Sequence, residues 1–528
     1  YILTDMQKLA WTGDLDGLRE AVPDDVPIFL VDVGQDVTGN LAVEDVNFGL
    51  KVTVRGGVSK IYCEVRNTSP SGLARKLTLF VRDRKVAEQE VTVAAGGRRT
   101  VVFTHVFEET GMHHGRVELD ADDFEPDNRR YFTARVREKL PVLVVNGGPS
   151  VIPYRDAAFY LKMALDASSR RGERLSPLEA EIVPEGEAAS RTLGEYGCVI
   201  LVDVARVEPA WARQLAAYVS GGGGLLIFCG SRVDAASYDV TLGGVGEEAV
   251  DLLPAGLTRA VSASVGDEPF FRIVDVDVRH PVLRDISAEI TWDTTQVKRF
   301  FRTEPAEGGG DGTRALLSLG DGPLLLERKV GGGTVMLFTS TCTPEWGNMP
   351  LKAYFLPLVH QIVYYMSRAR SEAASTPVGM AYGLKLPEAR GEALVKFIPP
   401  EQKAGAAGDE PPLRTVELTV APGEDRAVFH ETLVPGIYRT EAHVAGKAVR
   451  GMFAVNVPPR ESELERLSTR EAEALLDLDN LEVVAGPEQL AAVVARERQG
   501  LPLWDYLLLA TIVVAVVETL VANVVLKH

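Results

Sequence analysis

Apolar positions along this chain follow three different rhythms, and each predicts a different kind of element. Residues 140–370 carry near-continuous apolar runs, PVLVVN, CVILVD, LLIFCG and TVMLFTS, as strands buried on both faces do. Between these runs, RDAAFYLKMALDA, EPAWARQLAAYV and KAYFLPLVHQIVYYM repeat their apolar residues at helical spacing. That alternation predicts a doubly wound α/β domain. Residues 41–137 instead alternate apolar and polar positions in short runs such as SKIYCEVRN, KLTLFVRD and RRTVVFTHV, broken by Gly, Asn, Pro and Ser. Period two with frequent turns predicts a β-sandwich of roughly seven strands, and residues 379–457 repeat the pattern as a second sandwich.

The third rhythm has no polar face at all. LLLATIVVAVVETLVANVVL, residues 507–526, is apolar around its whole circumference, and roughly 20 residues at about 1.5 Å each span a bilayer core. Trp504 and Tyr506 stand where headgroup-level aromatic rings belong, so residues 503–526 are expected to form a transmembrane helix with the bilayer as a partner. Glu518 and Asn523 are its awkward residues; they are expected to face another helix, or Glu518 to be protonated. Residues 458–502 read as a charged helical linker, with Ser468 placed as a helix cap. At the other end, residues 1–38 read as strand, a helix-compatible stretch to about Val22, and a second strand over Pro27–Val33. YILTD reads as a strand already under way, which predicts an upstream part of the same domain.

The formal net charge of -18 excludes a nucleic-acid partner, which needs a basic stripe to displace counterions. Cys63, Cys198, Cys229 and Cys342 stand far apart without CxxC spacing, so neither a zinc site nor a disulfide framework is expected. Asp120, Asp122, Asp123, Asp127 and Asn128 lack the glycine and terminal glutamate of a calcium loop and are read as a solvated turn. The adjacent His113 and His114 point to opposite faces of a strand and are read as surface residues.

Ligands of doubly wound sheets sit beyond the carboxyl ends of the strands, where this sequence puts Asn146, Asp203, Cys229, Cys342, Trp346 and Asn348. Asn146, Asp203, Trp346 and Asn348 are therefore candidates for a binding rim. Gly221–Gly224 precedes its strand, the wrong order for a phosphate loop, and is read as a helix-to-strand turn.

Several of these stretches carry family resemblances. ILTDMQ resembles a late strand of a von Willebrand factor A domain, which implies a role for Asp5 in a metal site holding Mg or another divalent cation in an intact A domain; the DxSxS ligands of that site do not occur in the opening stretch. Residues 41–137, with VRN and DFEPDNRRYF, resemble the adhesion-type sandwiches of bacterial surface proteins. The run from VLVVNG to YVSGGGGLLIFCG resembles the class I glutamine amidotransferase-like fold over about 230 residues. That resemblance implies a cysteine nucleophile, Cys229, with His280 or His360 as its base, but CGSRVD lacks the tight G-x-C-x-G elbow. The whole order, ending FAVNVPPRESELERL and LWDYLLL, resembles the membrane proteins related to Bat-type aerotolerance proteins. It implies soluble domains on the outer, periplasmic side of a bacterial inner membrane. The leading expectation is thus a non-catalytic membrane-anchored interaction or scaffold protein meeting other envelope proteins, without a cofactor in this chain. The alternatives are an amidotransferase-like hydrolase using Cys229 and a small-ligand sensor at the rim.

Overall fold

A computed structural model of the 528-residue chain describes residues 1–12, 26–35, 39–49, 52–166, 176–244, 249–263, 269–284, 286–287, 290–304, 312–367, 375–386, 393–401, 414–424, 426–444, 447–478, 481–499 and 503–525. The helix-compatible stretch before Val22 lies mostly in residues 13–25, outside the described residues. The protein is mixed α/β with several separate cores.

Residues 41–136 form two antiparallel sheets, one of three strands and one of four, closing over an apolar interior that includes Leu41, Ile61, Leu79, Val117 and Phe132. Alternation decides which side chains enter it: strand Val58–Asn67 buries every second residue along most of its length. His113 corrects the surface reading. It is 4% exposed, its Nε2 lies 2.8 Å from the Glu109 carbonyl, and its ring packs edge-on to Phe107. One of two adjacent strand residues must face inward here, and the hydrogen bond satisfies the buried imidazole. The second sandwich pairs a five-stranded sheet with a two-stranded one around Phe397, Phe429, Tyr438 and Phe453.

Between the sandwiches stands an eight-stranded sheet. Its first five strands are parallel, in the spatial order Leu178–Pro184, Leu140–Asn146, Cys198–Val202, Gly224–Phe228 and Gly333–Phe338. Strands Gly322–Val330, Thr313–Leu319 and Ile273–Val276 extend it antiparallel. The two faces bury separate cores. Helices Phe159–Leu165 and Phe355–Ser367 cover one, and Pro209–Ser220 and Ala235–Leu242 the other.

The segment read as a helical linker is more than helix. Helix Thr469–Leu476 begins at Ser468 with a full capping box to Glu471, as the cap position predicted. LEVVA then forms a strand, Leu481–Ala485, that pairs in parallel with Ile28–Asp32, which in turn pairs with Ile2–Thr4. Met6, Leu30, Ala472 and Leu476 fill one side of this small sheet, and Phe29, Val31 and Val484 the other, packed by Leu490 and Val493 of helix Gly486–Gln499. The beginning and end of the chain therefore share one parallel α/β unit, and both sandwiches and the central sheet are inserted within it. Arg466 closes the join, donating to both Asp32 carboxylate oxygens across 434 residues and to the Asp5 carbonyl at 3.0 Å. The helix Leu503–Val525 follows directly.

Polar joints also fix the inserted domains to one another. Asn456, 3% exposed at the end of the second sandwich, accepts the Tyr131 N–H at 2.7 Å and donates to the Tyr131 carbonyl at 3.0 Å. Arg130 adds a bond to the Val457 carbonyl at 3.3 Å.

Candidate functional site at the rim of the central sheet

Strand order reverses between Leu140–Asn146 and Cys198–Val202, and splayed loops at such a switch point leave a crevice. A cleft of about 620 Å³ opens there, lined by residues including Tyr154, Arg155, Asp203, Cys229, Arg232 and Glu345. Each comes from a loop just past a strand end or from the segment leading into helix Phe159–Leu165.

Asp203 has the most constrained geometry. Its backbone is left-handed, with φ 49°, a conformation rare outside glycine and more tolerated by Asp and Asn. Two glycines make room for it. A Cβ at Gly147 would stand 2.1 Å from the Asp203 carbonyl oxygen, and one at Gly230 would stand 2.3 Å from its Oδ1. Oδ1 accepts the Arg232 N–H at 2.8 Å, and Arg232 pairs with Glu185 at 3.0 Å. Burial pushes the Asp203 carboxyl up, with Glu345 and Glu185 adding to this against Arg232, to about 6.

Of the other rim residues, Asn146, Asn348 and Trp346 support the loops and do not line the cleft, whereas Cys342 does line it. Asn146 donates to Asp156 at 3.0 and 3.1 Å and accepts the Gly148 N–H, while Asp156 receives the Ser150 and Ala158 N–H groups. Asn348 accepts the Gln296 N–H at 2.8 Å and donates to the Thr294 carbonyl at 3.3 Å. Trp346 is 2% exposed, packed on Phe301, with the Arg299 guanidinium 4.6 Å from its ring. Cys342 is buried, with its thiol 3.4 Å from the Ala157 carbonyl.

Cys229 sits in the cleft floor at 1% exposure, and its backbone lacks the strained turn that presents a nucleophile. Burial, with the Asp203 charge behind it, pushes its thiol well above the ordinary range. Neither proposed base lines the cleft. His280 lies 2.9 Å from Glu327 and edge-on to Tyr365; burial raises the Glu327 carboxyl, but the nearby His280 ring, the Tyr365 hydroxyl and the Lys329 charge outweigh it and bring it down to about 2. His360, on helix Phe355–Ser367, sits with Nε2 2.8 Å from the Ala164 carbonyl. That helix packs in the core on the face of the sheet opposite the cluster holding Cys229.

Asp5 follows strand Ile2–Thr4 and accepts the Gln7 N–H at 3.1 Å, closing a local turn. Among the described residues no three His, Cys, Asp or Glu side chains gather as a metal-binding group. The Arg466 guanidinium already occupies the rim beside the Asp5 carbonyl and Asp32, so these residues by themselves do not fit a divalent cation.

Sequence reasoning singled out Asp203 by its place at a strand end but missed Tyr154, Arg155, Arg232 and Glu345. The available signal was their position just after apolar runs, within NGGPSVIPYR, CGSR and TPE.

No protein-family profile matches the chain, and no curated protein does. Among solved structures, the cytoplasmic protein STM1381 of Salmonella typhimurium LT2 is 16% identical, with 43% of this chain and 99% of that chain covered and a TM-score of 0.33. A ThuA-like protein from Bacteroides uniformis is 12% identical over 43% of this chain and 91% of that chain, at 0.30. The CARDB domain of PF1109 from Pyrococcus furiosus, in complex with di-metal ions, is 16% identical over 19% of this chain and 94% of that chain, at 0.17. Scores this low establish no shared family.

Proposed function

We propose that this chain is a membrane-anchored, non-catalytic interaction or scaffold protein of a bacterial envelope, similar in organisation to the Bat-type proteins and facing the periplasm. The observation that carries the reading is the last helix: Leu503–Ala522 has a mean hydropathy of 2.0 and none of it is buried against the rest of the chain. An apolar helix of that length left uncovered calls for lipid. It follows the unit that gathers both chain ends, so the sandwiches are carried beside the bilayer. The amidotransferase alternative draws no support from the cleft, because Cys229 is buried and neither His280 nor His360 shares its site.

Fractionation tests the reading. The full chain is expected to stay with membranes after an alkaline carbonate wash, and truncation after Gln499 to release it. Full-length protein recovered in the soluble fraction without detergent overturns the proposal.

A ligand-sensing role is favoured by one observation, the cleft with Asp203 held in a left-handed turn over two glycines. A rise in melting temperature with a small polar metabolite, lost in Asp203→Asn, is its test.

A further inference from the structure

Resting on the anchor reading, we propose that the Glu518 face of the membrane helix docks a second transmembrane helix carrying a lysine or arginine at matching depth. The helix runs from Leu503 to Val525, so Glu518 lies four residues from its centre, about 6 Å along the axis. In a core of about 30 Å, that leaves the carboxyl about 9 Å inside the hydrocarbon boundary, beyond the reach of a glutamate stem. Lipid offers it no partner, and an uncompensated acid at such depth is costly enough to be rare.

At 3.6 residues per turn, Thr511, Ala515 and Ala522 share the Glu518 side with Leu507, Val514 and Val521, while Leu509, Val513, Val516 and Leu520 fall opposite. The small residues flanking the carboxyl let another helix approach closely there. The threonines need nothing from outside, because Thr511 donates to the Leu507 carbonyl and Thr519 to the Ala515 carbonyl, each at 2.7 Å. Glu518 is thus the one acidic or basic group in Leu503–Ala522 beyond the interfacial Asp505. The side chain of Asn523 lies outside the described residues.

Charge selects the occupant. A second copy inserted in the same direction brings another Glu518 to the same depth, and this span contains no cation to answer it. A helix with one basic residue at that level neutralises the carboxylate and satisfies its oxygens by charge-assisted hydrogen bonds.

The test uses the full chain reconstituted in phosphatidylcholine vesicles with labelled single-span polyleucine peptides, one carrying lysine at the matching depth and one leucine throughout. Energy transfer should show the lysine peptide associating about five- to thirtyfold more tightly, the range of intramembrane polar pairs. Glu518→Gln should remove most of that preference, and Glu518→Asp keep part of it. Equal association of both peptides overturns the proposal, as does a preference that survives Glu518→Gln. So does Glu518-dependent self-association stronger than binding of the lysine peptide, which makes a second copy the occupant. Flotation separates the two readings. Protein that leaves the vesicles under alkaline carbonate defeats the anchor itself; protein that stays but ignores lysine defeats only the docking face.

Discussion

Replacing Asn456 by alanine should uncouple the two sandwiches while leaving each folded. One side-chain amide makes both bonds to Tyr131, accepting from its N–H at 2.7 Å and donating to its carbonyl at 3.0 Å, with a further contact to the Ser375 hydroxyl at 3.2 Å. Truncation strands two main-chain groups, each costing about 1–3 kcal/mol where water cannot replace the partner. Tyr131 is half-buried, so water recovers part of this, and a loss of about 2–4 kcal/mol at the joint is expected. Because a chain of several domains does not unfold in two states, the measurement is calorimetric resolution of separate transitions, joined by limited proteolysis between Val457 and Ser468. The wild-type sandwiches should melt together; in Asn456→Ala they should separate, with faster cleavage of this segment, which leads from the second sandwich to helix Thr469–Leu476. Asn456→Asp keeps the acceptor but turns a carboxylate oxygen toward the Tyr131 carbonyl, so it should weaken the joint as well. Unchanged transitions and unchanged cleavage in both variants would refute the idea that this amide couples the domains.

The buried acid Asp127 gives a pH signature. It is 4% exposed, bonded by Asn40 at 2.8 Å, and burial, helped by Asp122 and opposed by Asn40 and Ser462, pushes its carboxyl to about 6. The folded form holds its proton more tightly than the unfolded chain, so this stability is complete below about pH 4 and lost as pH rises through 6, by up to about 3 kcal/mol. Asp127→Asn should flatten that part of a melting-temperature profile, and a variant profile parallel to wild type would count against it. For Cys229, the buried thiol should resist iodoacetamide near neutral pH in the native protein, and Cys229→Ala should cost about 1 kcal/mol without loss of function. Selective alkylation of Cys229 at that pH, read by peptide mass spectrometry, would contradict this.

What was legible in the sequence tracks what is periodic. The fully apolar end, the alternating runs of the two sandwiches and the continuous apolar strands of the central domain announce themselves locally, as does Ser468, whose Glu partner stands three residues on. The small parallel unit does not. LEVVA sits among charged residues, and only its pairing with Ile28–Asp32, far away in the chain, makes it a strand. The same holds for the site. Asp203 was placed by the end of its apolar run, but its left-handed turn depends on the space left by Gly147 and Gly230 in other loops. Asn146 stands at the expected strand end and Asn348 in the loop beyond strand Gly333–Phe338, yet their amides are spent on holding those loops, which a single sequence does not reveal.

That long-range pairing has a mechanical consequence. Two parallel strands of three and five residues, Ile2–Thr4 and Ile28–Asp32, are too little to stand alone, so the N-terminal pair depends on Leu481–Ala485 and the helices around it. Val484 is the point of leverage: 2% exposed, it packs with Phe29 and Val31 directly above the segment that leads to the membrane helix. Val484→Asp removes about 2 kcal/mol of apolar burial and sets an unpaired carboxylate in its place, enough to exceed what so small a core supplies. Hydrogen exchange on the detergent-solubilised chain should then show Ile28–Asp32 losing protection together with Leu481–Ala485, while Leu140–Asn146 and the sandwich strands keep theirs. If Ile28–Asp32 stays protected in the variant, the two ends of the chain do not form one cooperative unit.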